Sequence, residues 1–325
     1  MRLVEAVLRR VARGVLVLFG ISVAVFLIFF ATPGTDPAAR LAGRGAPPET
    51  LALVRTEYGF DRALPIQYAT LMRRLFVTGD LPSFVNRGQA VVPAVVRAAP
   101  TTLVLALGAG MVFVSAGLAI GLGAALLGST RAGQAAGRVV VGLGLLGVSV
   151  PAFWLASLVA SVSQGSLHDT LFAWVPPLGQ VPSGPGEWLR SMALPWLTLS
   201  VLYAGIYGRV LRTGLVAALR QDYARTARAK GLGELRVVLV HALPNAVAPA
   251  VALLGLDLGA LRGGGTVLVE VAFGLPGLGR LTYDALRSLD LAMIMACVLY
   301  GSAAVVVLNA VADAVQATIG GGRRS

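Results

Sequence analysis

This sequence is short of charge, of lysine, of histidine and of cysteine, and each shortage narrows what the protein does. Only 13% of its 325 residues are charged, about half the share usual in soluble domains, which argues against a water-soluble globule. A single cysteine, Cys297, rules out an internal disulfide and any cysteine-based metal cluster. Two histidines, His168 and His241, argue against a His-rich metal site. The one lysine, Lys230, lies in Ala229-Lys230-Gly231. A phosphate-binding P-loop needs Gly-x4-Gly-Lys-Ser/Thr, so the chain has no nucleotide site of that kind. No paired-carboxylate, Ser-His-Asp or His-cluster pattern occurs in the apolar stretches, which weighs against a membrane enzyme, and no cofactor or metal is expected.

What is abundant is apolar. Hydrophobic residues make up 56% of the chain, mean hydropathy is +0.79, and 40 glycines are present, the last suited to close helix packing in lipid. Charge-free runs at residues 14–35, 98–130, 139–167, 191–208 and 291–312 are each long enough for a helix to cross the hydrocarbon core once, which takes about 20 residues. A sixth apolar run, 246–268, contains Asp257 and Arg262. The expectation is an all-α integral membrane protein with six transmembrane helices. The first run follows Arg2, Arg9, Arg10 and Arg13, but it is longer than a signal-peptide core and lacks a small-x-small cleavage site. It reads as an uncleaved first span.

Net charge is +12, carried by 26 Arg and one Lys. Basic residues collect on the cytoplasmic side of a membrane protein. With the N-terminus inside, four precede span one, two (Arg131, Arg138) separate spans two and three, seven lie between Arg209 and Arg236, and two (Arg323, Arg324) close the chain. The short outer loops carry only Arg190, Arg280 and Arg287. The outer 32–97 segment holds eight Arg, but segments of that length translocate largely regardless of charge. Both termini are expected in the cytoplasm. Weak helical patterning at 49–58 and 66–76 makes the 32–97 segment a small solvated cap. The expected division is 1–31 (N-terminus and first span), 32–97 (extracytoplasmic), 98–318 (a five-helix core holding a cytoplasmic segment 214–246) and 319–325 (tail).

The 214–246 segment interrupts this apolar chain with charge. Asp222 is placed to cap a helix running to Lys230, with Arg228 and Lys230 in its last turn, where positive charge suits the helix dipole. Gly231-Leu232-Gly233 breaks that helix, Glu234 opens a second, and Pro244 stops the run. Ala224, Ala227 and Ala229 leave room for a neighbouring surface. Three readings compete: a solvated loop, a membrane-tethered DNA-binding element, which no soluble core supports, and a docking element for a cytoplasmic partner. Nucleic acid is not an expected partner.

At these residues the chain resembles the permease subunits of binding-protein-dependent ABC importers, the dipeptide/oligopeptide/nickel branch. That family's cytoplasmic signature reads E-A-A-x3-G-x9-I-x-L-P. Gly231 falls at its glycine, Leu243-Pro244 at its end, Arg225-Thr226-Ala227 at its E-A-A position and His241 at its isoleucine. The peptide branch writes the segment D-Y-x-R-T-A-R-A-K-G, matched from Asp222 and Tyr223 through Arg228 to Gly231, whereas Val240 replaces an arginine usual there. Three further matches follow in order along the chain: Gly59-Phe60-Asp61-Arg62-Ala63-Leu64-Pro65-Ile66-Gln67-Tyr68, Ser149-Val150-Pro151-Ala152-Phe153-Trp154, and Val271-Ala272-Phe273-Gly274-Leu275-Pro276-Gly277-Leu278-Gly279-Arg280. Thr35 is inserted into the family's P-G-D-P, giving Pro33-Gly34-Thr35-Asp36-Pro37.

The resemblance implies a type I importer permease in a prokaryotic inner membrane, moving peptides by alternating access. Nickel or another small solute such as glutathione is the alternative, and a passive channel leaves the signature unexplained. It implies as partners a second, homologous permease subunit, one or two ABC ATPase subunits, an extracytoplasmic substrate-binding protein, the peptide and membrane lipid. Asp222, Tyr223, Arg225, Thr226, Ala227, Arg228, Lys230, Gly231, Leu243 and Pro244 then form the segment coupled to the ATPase.

Asp257 and Arg262 are the remaining candidates. A charged residue mid-helix costs about 2.5–3.5 kcal/mol on insertion, while each Leu, Ile, Phe or Val returns about 0.3–0.6 kcal/mol. The nine such residues in 246–268 barely offset two charges, so both must face protein or water. Five residues apart, they lie about 140° apart around a helix and do not pair with each other. They line a translocation cavity, or hydrogen-bond to neighbouring helices, or the boundary of this span lies elsewhere.

Overall fold

The computed structural model describes residues 2–30, 36–43, 45–86, 88–126, 149–180, 182–260 and 265–321, with positions 135, 139 and 142. Among them every regular element is helical, and the one β-type pairing is an isolated bridge between Pro82 and Ala90. Lipid explains the choice, because a helix satisfies its backbone N–H and C=O groups internally where no water is present to do so.

Among the described residues four stretches are long and apolar enough to cross a membrane: Ala12–Phe30, Val91–Gly123, Pro185–Leu219 and Leu291–Val311. The described part of the 98–130 run, to residue 126, lies in one continuous helix, Val91–Leu126. Pro100 sits inside it, where its missing N–H removes one helical hydrogen bond. Of the expected third span, the described part is the helix Ala152–Gln164, opened by Pro151, whose carbonyl accepts from the Trp154 and Leu155 N–H groups. The charged sixth run is described to residue 260 as the helices Leu243–Ala246 and Ala248–Ala260, and Thr266–Phe273 follows residues 261–264, which lie outside the described residues.

The chain divides into two compact units. The first comprises Met1–Thr102 and Pro276–Val307, the second Leu103–Leu275 and Leu308–Ser325.

In the first unit the segment after span one is packed rather than merely solvated. The expected helices appear as Pro48–Tyr58 and Leu64–Arg73, the latter continuing as a π-helical turn, Arg74–Thr78. Aromatic rings join them to the first helix. Phe26 stacks on Phe30 at 5.1 Å, Tyr68 meets Phe26 edge-on at 5.4 Å, and Phe84 approaches Phe30 at 6.2 Å and Phe60 at 6.0 Å. Such pairs add about 0.5–1.5 kcal/mol each beyond their buried area. Ser22 Oγ and Tyr68 Oη lie 2.6 Å apart, Tyr300 Oη donates to the Leu75 carbonyl at 3.2 Å, and the Arg74 guanidinium sits 4.2 Å over the Tyr58 ring. Asp36 caps the short helix Pro37–Ala42 through the Ala38 N–H (3.0 Å) and pairs with Arg55 (2.6 Å). Partial burial works to raise its carboxyl pKa, but the Arg55 and Ala38 hydrogen bonds prevail and hold it below the usual range.

Asp290 is the polar anchor of this unit. It is buried, and its carboxylate accepts from Ser83 Oγ, from the Phe84 N–H at 3.1 Å and from the Met293 N–H at 3.2 Å. It thereby caps the helix Leu291–Gly321 and ties the 83–84 turn to its start. Removing this acceptor leaves buried donors unmade, at about 1–3 kcal/mol. Asp290→Ala is expected to lower the thermal unfolding midpoint of the detergent-solubilised protein clearly, with Asp290→Asn losing less; an unchanged midpoint in both variants would contradict the anchoring role.

Candidate functional site

The second unit holds both candidate sites. Its framework is the contact between the helices Val91–Leu126 and Pro185–Leu219. A Cβ added at Gly117 would lie 2.5 Å from Tyr207 Cβ, and one at Gly121 2.8 Å from Leu211 Cβ. The Gly117-x3-Gly121 spacing thus works as a close-approach face.

The close approach buries Tyr207 completely. Its ring lies 4.8 Å from Phe113, which also stacks on Tyr203 at 5.2 Å, and its hydroxyl donates to Asp257 Oδ2 at 2.8 Å. Asp257, on Ala248–Ala260, is half-buried. The carboxylate that made this run costly to insert therefore has a hydrogen-bond donor on a neighbouring helix. Arg262 lies outside the described residues. Glu270, wholly buried on Thr266–Phe273, and Tyr207 both escaped the sequence reading. A tyrosine in an apolar run carries no signal until a carboxylate is known to face it.

The basic segment forms a compact unit after Pro185–Leu219. The helix Asp222–Ala229 ends at Gly231, whose φ of +78° is left-handed. The Leu232 N–H reaches the Ala227 carbonyl (3.3 Å) and the Gly231 N–H the Arg228 carbonyl (2.9 Å), which is the paired bonding of a Schellman turn. The apolar contact belonging to that turn is present, with Leu232 partly buried against the cluster of Ala224, Ala227 and Val237.

Arg228 fastens the turn. Its Nε and Nη2 donate to the two carboxylate oxygens of Glu234 at 2.9 and 2.7 Å, and its Nη1 donates to the Leu219 carbonyl at 3.2 Å. One side chain thus joins the end of Pro185–Leu219 to both sides of the glycine turn. The hydrogen bond from Arg228 holds the Glu234 carboxyl below the usual carboxylate range, and Glu234 in turn raises the Arg228 guanidinium. Both side chains are more than a third exposed, so solvent screens the pair and its main effect is geometric.

Three details differ from the sequence expectation. Asp222 is not the cap: Gln221 holds that position without a side-chain bond, and Asp222, almost fully exposed in the first turn, lies 3.6 Å from Arg225. Ala224 and Ala227 do not await an outside surface, because Val237 already covers them, whereas Ala229 is exposed. Pro244 does not stop the helix. Residues Val237–Ala242 form a π-helical turn in which the Leu243 N–H bonds the Val238 carbonyl, five residues back. This shift of register upstream lets Pro244, which has no N–H to give, sit in the first turn of Leu243–Ala246. Leu243 packs against the cluster of Leu215, Ala218, Val238, Ala242 and Ala246.

What stays exposed is an apolar and basic surface: Tyr223 (40%), Leu235 (58%), Leu239 (41%) and Val240 (56%), with Arg225, Lys230 and Arg236 exposed as well. Thr226 is exposed as well, its hydroxyl donating back to the Asp222 carbonyl at 2.9 Å.

No heavy atom lies within 4 Å of a Cβ built on Gly231, so substitution there is limited by backbone conformation alone, at about 1–2 kcal/mol for an ordinary side chain. Asparagine tolerates the left-handed region and a β-branched residue does not. Gly231→Asn is expected to keep the segment's shape and Gly231→Val to lose it, read as protease sensitivity between residues 219 and 247 at equal membrane levels. Equal sensitivity of the two variants would refute the conformational requirement.

Residues 117–324 match the family described as binding-protein-dependent transport system inner membrane component, and residues 3–106 match its N-terminal counterpart. A protein of Brucella suis biovar 1, provisionally named a peptide transport system permease protein, is 35% identical over 309 residues, covering 94% of this chain and 95% of its own. A protein of Escherichia coli K12, provisionally named a D,D-dipeptide transport system permease protein, is 34% identical over 317 residues, covering 92% and 91%. The glutathione transport system permease protein of Salmonella choleraesuis is 36% identical over 314 residues, covering 96% of each chain. By these matches along almost its whole length, the chain belongs to the binding-protein-dependent transport system inner membrane components, the multi-pass permeases of ABC importers.

Proposed function

We propose that this chain is the permease subunit of an ATP-driven importer of short peptides. It crosses the inner membrane six times with both termini in the cytoplasm. Residues 32–97 lie outside, 98–318 form the permease core, 214–246 couple to the ATPase, and 319–325 form the tail. A second, homologous permease subunit completes the path, one or two ATPase subunits drive it, and an extracytoplasmic binding protein delivers the peptide. The ATP is hydrolysed by the ATPase subunits, since the only lysine of this chain belongs to no P-loop.

One observation carries this reading. In a chain that is otherwise apolar, the signature segment folds as a rigid, glycine-turned knob that presents Tyr223, Leu235 and Val240 amid arginines. Apolar anchors in a basic rim suit a groove on a folded partner, and a loop kept merely for topology has no need of them. Peptide is the substrate class because relatives matching across more than nine-tenths of the chain are named for peptide, D,D-dipeptide and glutathione transport. Glutathione itself, a tripeptide, is the specific second reading.

The test is uptake into liposomes by the assembled transporter. Uptake of a short peptide is expected to require both ATP and the binding protein, and uptake independent of either would sink the proposal. For the topology, cysteines introduced at Ala46 and Gly179 should react from outside, and at Ala135 and Gly233 only after permeabilisation. Labelling of Gly233 from outside would reverse it.

Asp257 is proposed to line the translocation path, its second carboxylate oxygen facing that path while Tyr207 holds the first. Asp257→Asn preserves the acceptor for Tyr207 and removes the charge. It is expected to assemble normally and slow uptake about tenfold or more, one lost charge-assisted contact being worth about 1.5–3 kcal/mol. Wild-type uptake by both Asp257→Asn and Asp257→Leu would leave Asp257 only its packing role.

A further inference from the structure

The first unit contains an open cleft of about 430 Å³ where the start of Val91–Leu126 meets the start of Leu278–Ser288. Gln89, Arg97, Thr101, Gly277, Arg280 and Asp284 contribute to its wall, with Leu281 as part of an apolar floor. Its volume lies within the range usual for small-molecule sites, about 300–1,000 Å³, and is far larger than an inorganic ion needs.

The charges are unequal. Arg280 Nε lies 3.9 Å from Asp284 Oδ2, so that arginine is partly balanced. Arg97 is exposed and makes no hydrogen bond or ion pair with the described residues. Two arginines against one aspartate give the wall one net positive charge. Gln89 and Thr101 add amide and hydroxyl groups able to serve a peptide bond. A planar guanidinium matches a carboxylate with two parallel hydrogen bonds.

We propose that this cleft is an entry-side site for the C-terminal carboxylate of the transported peptide, with Arg97 as its principal ligand. The inference rests on the peptide reading and the outward topology given above. Under that topology both arginines lie on the extracytoplasmic side. A group common to all free peptides, rather than any side chain, is what this wall recognises. The site would therefore hold peptides of varied sequence while refusing those whose carboxylate is blocked. Asp284, drawn toward Arg280 until the peptide arrives, becomes available to the peptide's amide hydrogens.

The test uses the assembled transporter in phosphatidylcholine nanodiscs, without binding protein, and compares trialanine with trialanine amide by equilibrium dialysis. The free peptide is expected to bind about tenfold or more tightly than the amide, as for loss of one charge-assisted contact. Arg97→Gln should erase that preference without changing amide binding, Arg97→Lys should retain part of it, and Arg287→Gln, outside the cleft, should leave it intact. Equal binding of the two peptides by the wild type, or no binding of trialanine, overturns the proposal without any variant being needed. A preference that survives Arg97→Gln overturns it too. Failure here with ATP-dependent peptide uptake preserved removes only this site. Absence of peptide uptake removes the peptide reading itself.

Discussion

The second unit depends on how closely the helices Val91–Leu126 and Pro185–Leu219 approach one another. In lipid there is no hydrophobic gain from bringing two apolar helices together, so their association rests on packing and on the few polar contacts that packing permits. With Gly117 and Gly121 facing Tyr207 and Leu211, side chains of one helix lie directly on the backbone of the other. Tyr207 is buried by this contact and braced by Phe113, which aims its hydroxyl at Asp257. A residue larger than glycine at position 117 would push that hydroxyl away and leave a carboxylate in the apolar interior without its donor.

The same helix carries this geometry toward the 214–246 segment. Leu215 and Ala218, on its last turns, share a cluster with Val238, Ala242 and Ala246, and its Leu219 carbonyl is held by Arg228. The segment is thus fixed to the end of Pro185–Leu219 both by apolar contact and by hydrogen bonds. No freely jointed stretch separates it from the helix that bears Tyr207. A displacement applied to the exposed face of Tyr223, Leu235 and Val240 would act on a stiff lever, as the proposed coupling role requires. The Arg228–Glu234 pair contributes little free energy at this exposure, but it fixes the angle of the turn.

In the first unit the corresponding role falls to aromatic contact and one carboxylate. The residues after span one are anchored by Phe60, Tyr68 and Phe84 against Phe26 and Phe30, and by Asp290 at the head of Leu291–Gly321. A segment held in this way keeps a fixed wall beside the start of Val91–Leu126, which a cleft lined by Arg97 and Arg280 needs in order to have a defined shape.

Composition and periodicity alone determined that this is a helical membrane protein without a P-loop. The cost of burying unpaired backbone and charge in lipid leaves few other outcomes for so apolar a chain. Local chemistry was legible too: a glycine at 231 ending one short helix and an arginine-rich interruption. What the tertiary structure decided were the pairings between residues distant in the chain. Tyr207 with Asp257 and Asp290 with Ser83 and Phe84 are separated by 50 to 207 positions, and no spacing rule reaches that far. Arg228 with Glu234 is close in sequence, yet the six-residue spacing across a left-handed turn fits no helical periodicity. Pro244 read as a terminator because proline cannot donate its hydrogen bond. Only the π-helical shift in Val237–Ala242, a property of the folded backbone, removed the need for that bond.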